Sequence, residues 1–176
     1  MLTPNETELT QMRVIGFTGH RHLNNPADVG EIVRSELERL RSEWGEKISG
    51  YSSIATGADT LFAEACLALN IPWQAILPFA LADFRDDFND EEWAHATNLL
   101  GKAVRVEISE SLEDRTAAYL SCGLRTVDGA DLILAVWDGN PARGIGGTAE
   151  VVEYAKTKKK PLILIRPDQL EVNHED

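Results

Sequence analysis

Residues 131–150, which read DLILAVWDGNPARGIGGTAE, constrain the fold of this chain more than any other stretch. The stretch opens with a short apolar run, Leu132 to Trp137, that has an aspartate on each side. Such a run between turn residues is typical of a strand buried on both faces of a sheet. Glycine and proline residues then interrupt regular structure as far as Gly147, and helical spacing begins at Thr148. The stretch therefore predicts a strand, a glycine-rich loop and a helix, in that order.

The glycine-rich loop predicts an anion-binding site. Glycines at a strand-to-helix junction let backbone N–H groups approach a ligand closely, and the start of the helix adds partial positive charge. We therefore expect a phosphate group to bind at Gly144, Gly146, Gly147 and Thr148. The alternative role of the Thr148 hydroxyl is to cap the helix. The loop lacks the lysine of a P-loop and the GxGxxG spacing of a dinucleotide fold, which argues against hydrolysis of a nucleoside triphosphate.

Strand and helix patterns alternate along the rest of the chain. Strands are predicted over residues 13–17, 48–55, 73–77, 104–108, 132–137 and 161–165, and helices over residues 26–44, 61–69, 89–100, 111–127 and 148–159. This alternation predicts βαβ units and hence an α/β fold, a Rossmann-like three-layer α/β/α sandwich with a mostly parallel sheet. We expect a single domain over residues 12–166, a flexible arm over residues 1–11 and a flexible tail over residues 167–176.

Two further loops are expected beside the glycine-rich loop. Residues 19–21 follow the first predicted strand, and residues 56–59 follow the second. Because the carboxyl ends of parallel strands lie at one edge of a sheet, the three loops are expected to share one crevice. The candidate ligand-binding residues of these two loops are Gly19, His20, Arg21, Thr56, Gly57 and Asp59.

Each polar residue of this crevice also has a plain structural alternative. Arg21 is predicted to bind phosphate through paired N–H groups; its alternative role is to tie down its own loop. His20 is predicted to contact a ribose or phosphate oxygen, and the alternative is a surface histidine. Asp59 and Asp138 are candidates for ribose hydroxyls. The structural alternative for Asp59 is a carboxylate that stabilises the start of a helix. The alternative for Asp138 is a turn that it forms with Gly139.

The charge of the chain limits its partners. With 17 basic and 29 acidic residues, the net charge of −12 argues against duplex nucleic acid and an anionic membrane, both of which need a basic surface. No apolar run approaches the roughly 20 residues that cross a bilayer, and residues 1–12 do not resemble a signal peptide. Two distant cysteines, Cys66 and Cys122, are typical of a reduced compartment. We therefore expect a cytoplasmic protein.

Neither a metal nor a cofactor is expected. The acidic run from Asp83 to Glu92 lacks the glycine and the ligand spacing of an EF-hand loop, and it predicts a solvated helix start instead. His22, His95 and His174 show no metal-binding spacing with one another. The expected ligand is therefore a small organic anion without a metal.

These motifs resemble those of the SLOG superfamily, which includes the Smf/DprA proteins and the LOG phosphoribohydrolases. The resemblance covers nearly the whole chain and is carried by residues 19–21, 55–59, 137–139 and 144–150. It is strongest toward the short bacterial SLOG proteins. The resemblance implies a Rossmann-like fold, a site for a nucleotide or a nucleotide-derived signal at the strand ends, and pairing into a homodimer.

The LOG enzymes are similar in carrying the motif PGGxGT, two further residues and then a catalytic glutamate. The resemblance therefore implies that Gly146, Gly147 and Thr148 bind phosphate. In this chain Val151 stands at the position of that glutamate, and Glu150 lies one residue earlier. Since each residue of a helix is rotated by about 100° from the one before it, Glu150 does not automatically point where the family's glutamate points.

Three functions are consistent with these residues. The leading hypothesis is a sensor or accessory module that binds a nucleotide or a nucleotide-derived phosphorylated ligand. The rival is an N-glycosidase, or phosphoribohydrolase, that cleaves nucleoside monophosphates, with Glu150 as the first candidate for the catalytic carboxylate and Asp59 as the second. The third is a structural or interaction protein without a ligand.

Overall fold

The structure of the chain, a computed structural model, describes residues 4–109, 114–141 and 147–175. In this part of the chain, seven strands form one sheet in the order β4-β3-β2-β1-β5-β6-β7. The strands are β1 (Arg13–Gly19), β2 (Ile48–Ser52), β3 (Trp73–Leu77), β4 (Arg105–Ile108), β5 (Leu132–Val136), β6 (Leu162–Arg166) and β7 (Glu171–Glu175). Strands β1 to β6 are parallel, and β7 pairs with β6 in the antiparallel direction.

Helices cover both faces of the sheet. They are α1 (Glu6–Leu9), α2 (Pro26–Trp44), α3 (Ala58–Ala68), α4 (Leu81–Phe84), α5 (Asp90–Leu100), α6 (Arg115–Asp128) and α7 (Thr148–Thr157), with a 3-10 turn at Arg85–Asp87. Apolar residues of α2, α3 and α5 join the core on one face, and those of α7 pack on the other face, beside α6. The predicted α/β Rossmann-like fold is thus confirmed. Among the described helices, none combines the length and the apolar character needed to cross a membrane.

Strand β5, which the apolar run from Leu132 predicts, is buried as its sequence indicates. All five residues of β5 are buried, and the strand pairs with β1 on one side and with β6 on the other. Local signals set the helix bounds as well: Pro26 opens α2, and Asn89 forms a capping box with Glu92 at the start of α5. The strand predicted over residues 48–55 ends earlier, at Ser52.

The amino-terminal end of the chain differs from the prediction. The flexible arm expected over residues 1–11 is wrong for Glu6–Leu9, which form α1. A capping box at Asn5 starts this helix, and Leu9 is buried against the rest of the molecule. A single helical turn is too short to show a hydrophobic period in the sequence, which is why the pattern indicates no structure there.

The carboxyl-terminal end also corrects the prediction. The flexible tail expected over residues 167–176 is wrong for Glu171–Glu175, which form β7 at the edge of the sheet. Four residues of this strand are exposed, and only Val172 packs on the core. A polar edge strand has no apolar alternation, so its sequence reads as a loop.

The strand order places a crevice at one point of the sheet. Strand β1 lies at the centre, and the chain continues toward β4 on one side of it and toward β7 on the other. The order therefore reverses between β1 and β5. In open α/β sheets, ligands bind outside the carboxyl ends of the strands at such a reversal. The loops that follow β1 and β5 flank this point.

Gly57 lets the loops after β1 and β2 meet. The Ala58 backbone N–H donates to the His20 carbonyl oxygen at 3.0 Å, which joins the start of α3 to the loop after β1. Gly57 has a φ of +91°, and a Cβ atom there would lie 2.2 Å from the Arg21 carbonyl oxygen. The close approach therefore requires glycine at position 57 on two grounds, backbone conformation and space.

We predict that Gly57→Ala lowers the free energy of unfolding much more than Gly45→Ala does. Gly45 also has a positive φ, +83°, but no atom lies within 4 Å of a Cβ at that position. The control variant should therefore lose only the conformational term, about 1–3 kcal/mol. Gly57→Ala should lose about 1–3 kcal/mol more, because the backbone at Arg21 must move. Urea denaturation of both variants tests this, and equal losses would contradict it.

Candidate functional site

A hollow of about 240 Å³ lies at the carboxyl ends of β1 and β2, beside the start of α7. Its walls come from the loop after β1, the segment after β2, one side of α6 and the first turn of α7. The residues that line it are Phe17, Thr18, Gly19, His20, Arg21, Ser53, Ala55, Asp59, Tyr119, Cys122, Gly123, Thr126, Gly147, Thr148 and Val151. We refer to this hollow as the crevice.

The crevice brings together residues from all three predicted loops. Arg21 comes from the loop after β1, Asp59 from α3, and Thr148 from the start of α7, and all three line the same hollow. The other predicted residues that line it are Gly19, His20 and Gly147. The convergence of loops expected from the sequence is therefore present in the described part of the chain.

Other predicted site residues lie elsewhere. Thr56 and Gly57 belong to the loop between β2 and α3 but do not line the crevice, and Asp138 contacts His20 from outside it. Glu150 lines a different groove. The predicted positions Gly144 and Gly146 lie outside the described residues.

Arg21 presents its charge at the mouth of the crevice. Its side chain is exposed, and the guanidinium carbon lies 5.0 Å from the centroid of the Tyr119 ring. The Tyr119 hydroxyl donates to Asp87, which also pairs with Arg115 at 2.7 Å. Within the described residues, Arg21 takes part in no ion pair. A cation held by a ring rather than by a carboxylate keeps its N–H groups for another acceptor.

His20 and Asp138 connect the loops after β1 and β5. The His20 backbone N–H donates to the Val136 carbonyl at 3.1 Å, and the Asp138 backbone N–H donates to His20 Nε2 at 3.1 Å. Burial opposes the charge of Asp138, but hydrogen bonds from Asn140 and the neighbouring His20 outweigh it and lower the pKa of Asp138 to about 2. Both residues therefore help to hold the loops after β1 and β5 together.

A side chain from β6, that of Arg166, lies against the backbone after β5. Gly139 has a φ of +82°, and a Cβ atom at this position would lie 1.5 Å from an Nη atom of Arg166. The Arg166 guanidinium carbon lies 5.4 Å from the centroid of the Trp137 ring. Arg166 therefore occupies the space that a side chain at position 139 would need.

Asp59 is an ionisable group whose charged form is disfavoured by burial. The side chain lies at the wall of the crevice with only 8% of the residue exposed. Oδ2 accepts a hydrogen bond from the Ala55 backbone N–H at 3.1 Å. Burial raises the pKa of Asp59 to about 7, against the opposing effects of the Ala55 hydrogen bond and of Arg21. Asp59 therefore exchanges a proton near neutral pH.

The first turn of α7 faces the crevice. Gly147 is the N-cap residue, and no side chain caps the helix at this position. Thr148, of which 9% is exposed, and Val151 line the crevice from the same side of the helix. In the described part of the chain, the Thr148 hydroxyl forms no hydrogen bond. The start of a ten-residue helix thus points its partial positive charge toward the crevice.

Helix α6 forms a wall that the sequence does not predict. Tyr119, Cys122, Gly123 and Thr126 line the crevice from this helix. A Cβ atom at Gly123 would lie 2.5 Å from a methyl group of Val151, so glycine lets α6 and α7 pack closely beside the site. The run Ser-Cys-Gly in the middle of a predicted helix is the one signal that could have indicated this approach.

Glu150 lies beside a second, apolar groove. This groove, of about 630 Å³, is lined by Trp137, Tyr154 and neighbouring residues of α6 and α7, and by the carboxylates Glu150 and Glu153. The crevice and the groove lie on different sides of the first turn of α7. Within the described residues, no group of three or more histidine, cysteine, aspartate or glutamate side chains is arranged to hold a metal ion.

We predict that Asp59→Asn gains stability relative to the unmodified chain as the pH rises from about 4 to about 7. In this interval the native Asp59, with its pKa raised to about 7, keeps a proton that the unfolded chain has lost. The free energy of unfolding therefore falls through this residue as the pH rises, and asparagine removes the effect. Urea denaturation at several pH values measures the difference. The exposed control Asp28→Asn should show no such trend between pH 5 and 8, and a flat profile for Asp59→Asn would contradict the prediction.

No protein-family model matches the chain, and no curated protein sequence matches it. Comparison of structures does give matches. The X-ray structure of TM1055 aligns with 88% of this chain and is covered over 75% of its own length, with 18% sequence identity and a TM-score of 0.53.

DNA processing protein A (DprA) from Streptococcus pneumoniae is a more distant match. It aligns with 90% of this chain at 15% identity and a TM-score of 0.42, and the chain spans 60% of its length. At such identities the likeness concerns the fold alone. The match to TM1055 thus agrees with the α/β Rossmann-like fold described above.

Proposed function

We propose that the chain binds a nucleotide or a nucleotide-derived phosphorylated ligand in the crevice, as a sensor or accessory module. The observation that carries the proposal is the common position of Arg21, Asp59 and Thr148 around one hollow at the reversal of the strand order. A cation, a buried acid and a helix start in one site suit a ligand with both an anionic group and polar, uncharged groups.

The phosphate group would bind between Arg21 and the first turn of α7. Arg21 has no carboxylate partner among the described residues, and the α7 start offers backbone N–H groups together with the Thr148 hydroxyl. Both features favour an anion locally. Arg21 and the start of α7 would offset, at this site, the repulsion of anions by a chain with a net charge of −12.

The size of the crevice suits part of a nucleotide. A volume of about 240 Å³ lies just below the usual range for small-molecule sites, roughly 300–1,000 Å³. The crevice would therefore enclose the phosphate and the sugar, and the base would extend out of it.

We predict that Arg21→Ala weakens binding of ribonucleoside 5′-monophosphates by about tenfold to a hundredfold. A charge-assisted hydrogen bond contributes about 1.5–3 kcal/mol, and each 1.4 kcal/mol is a factor of ten in affinity. Thr148→Ala removes a neutral hydroxyl and should cost only about two- to tenfold. Calorimetry with the four common monophosphates measures both effects.

The matched control is Arg34→Ala. Arg34 lies on α2 in an exposed pair with Glu38, outside the crevice, and its loss should leave the affinity unchanged. Equal affinities of Arg21→Ala and the unmodified chain would remove Arg21 from the site. If no phosphorylated compound binds the unmodified chain, the alternative of a structural protein without a ligand is favoured instead.

A second candidate function, hydrolysis of the N-glycosidic bond of a nucleoside monophosphate, is favoured by one observation. Asp59, with a pKa of about 7, is buried in the crevice, and a general acid or base works best with a pKa near the working pH. Glu150, the first choice on sequence grounds, lines the apolar groove instead. Asp59 is therefore the better candidate for the carboxylate that would orient water and stabilise an oxocarbenium-like state.

For this second function we predict release of free base from a nucleoside 5′-monophosphate, with a rate that changes with pH near 7. Asp59→Asn should abolish release while binding persists, since the amide fits the same space but cannot exchange the proton. Chromatography of the products measures the rate of base release by each variant. The matched control is Glu150→Gln, since Glu150 lines the apolar groove and not the crevice. Binding without turnover in the unmodified chain would exclude the hydrolase for the compounds tested and favour the binding module.

A further inference from the structure

We infer that the inner wall of the crevice is a sugar-hydroxyl subsite, in which Ser53 binds the 2′-hydroxyl and Asp59 the neighbouring 3′-hydroxyl of a ribose phosphate, so that the site selects ribose over 2-deoxyribose. The inference rests on the proposed function, because it assigns the sugar of the same ligand. Ser53 is not among the residues that the sequence singles out.

The first observation is the unused hydrogen-bonding capacity of Ser53. This residue follows β2 directly and lines the crevice, and its buried hydroxyl has no hydrogen-bond partner within the described residues. Its neighbour Cys122 donates its thiol hydrogen to the Ile76 carbonyl, with Sγ and O 3.4 Å apart, and sulfur is only a weak acceptor. Buried hydroxyl groups in native proteins nearly always have a partner, so an exception needs an explanation.

Rotation of the Ser53 side chain would turn the hydroxyl from its buried position toward the crevice, which this residue lines. A serine side chain turns about a single bond between staggered positions. The rotation gives up only a contact with the Cys122 sulfur, which is a weak hydrogen-bonding partner. A ligand hydroxyl in the crevice would then satisfy a group that is unsatisfied in the empty site.

The second observation is the position of Asp59. More than nine-tenths of this residue is buried, and it uses Oδ2 to accept from the Ala55 N–H, two residues after Ser53. In the described part of the chain, Oδ1 has no hydrogen bond and is available to the ligand. Ser53, Asp59 and Cys122 all line the crevice, so both polar groups belong to the wall of the same hollow.

Charge decides which part of the ligand binds at this wall. A carboxyl group that can ionise disfavours a phosphate beside it, and it accepts readily from a neutral hydroxyl. Arg21, which interacts electrostatically with Asp59, lies at the mouth of the same crevice. The phosphate would therefore bind toward Arg21, and the sugar hydroxyls would face Ser53 and Asp59, as their order in a ribose phosphate allows.

The inference predicts discrimination between two nearly identical ligands. A site built to bind a hydroxyl rejects the analogue that lacks it, because its own polar groups are then left unpaired. For one lost hydrogen bond to a buried polar group, the 2′-deoxy compound should bind about tenfold more weakly or worse.

The experiment compares ribose 5-phosphate with 2-deoxyribose 5-phosphate, and the four common ribonucleoside 5′-monophosphates with their 2′-deoxy counterparts, by calorimetry on the full chain. The unmodified chain should prefer the ribo compound of a pair by about tenfold. Ser53→Ala should reduce this preference to about threefold or less, by weakening the ribo compound and leaving the deoxy compound unchanged.

The matched control is Ser121→Ala. Ser121 lies on α6, where its hydroxyl pairs with that of Ser109 at 2.9 Å, and it does not line the crevice. This variant should keep the full preference for ribose. Circular dichroism and urea denaturation verify that each variant is folded.

The outcomes separate the two proposals. Equal binding of ribo and deoxy compounds by the unmodified chain overturns the subsite, and it leaves the proposed function standing if Arg21→Ala still weakens both. A preference for ribose that Ser53→Ala does not change also overturns the role of Ser53. Absence of binding by every phosphorylated compound overturns the proposed function and the subsite together. The first comparison needs no variant, so it holds even if Ser53→Ala does not fold.

Discussion

Parallel pairing of β1 with β2 on one side and with β5 on the other is the constraint on which the candidate site depends. Because all three strands run in the same direction, their carboxyl ends reach one edge of the sheet, and the loops that follow them must meet there. The reversal of strand order sends α3 to one face and α7 to the other, which leaves a hollow between the two helix starts. Backbone hydrogen bonds from Ala58 to His20 and from His20 to Val136 then hold the loops in place.

The electrostatics of the crevice differ from those of a packed core. Arg21 rests on an aromatic ring instead of a carboxylate, and Asp59 is buried where its charged form is disfavoured. Stability alone would favour neither arrangement, since a buried acid costs free energy at neutral pH and an unpaired cation contributes little to the fold. Unsatisfied groups of this kind are common where a ligand completes the environment.

The sequence predicts the layers of the fold and the meeting of the loops, because both follow from local patterns. The apolar run at β5 and the alternation of strands and helices determine the parallel sheet, and a parallel sheet determines where the loops after β1 and β2 lie. The sequence does not predict that α6 forms a wall of the crevice, because tertiary packing brings Tyr119 and Cys122 there and leaves no local pattern. Glu150 shows the same limit: a difference of one residue on a helix decides between the crevice and the neighbouring groove.

The packing of Arg166 against Gly139 has a consequence for how related chains can change over evolution. A side chain at position 139 would collide with the guanidinium, and it would also have to adopt a φ of +82°. The guanidinium is the flexible end of a long side chain and can move aside, so the positive φ is what restricts position 139 most. In related chains position 139 should therefore keep glycine whatever residue stands at position 166, and a residue other than glycine there should accompany a rebuilt turn after β5.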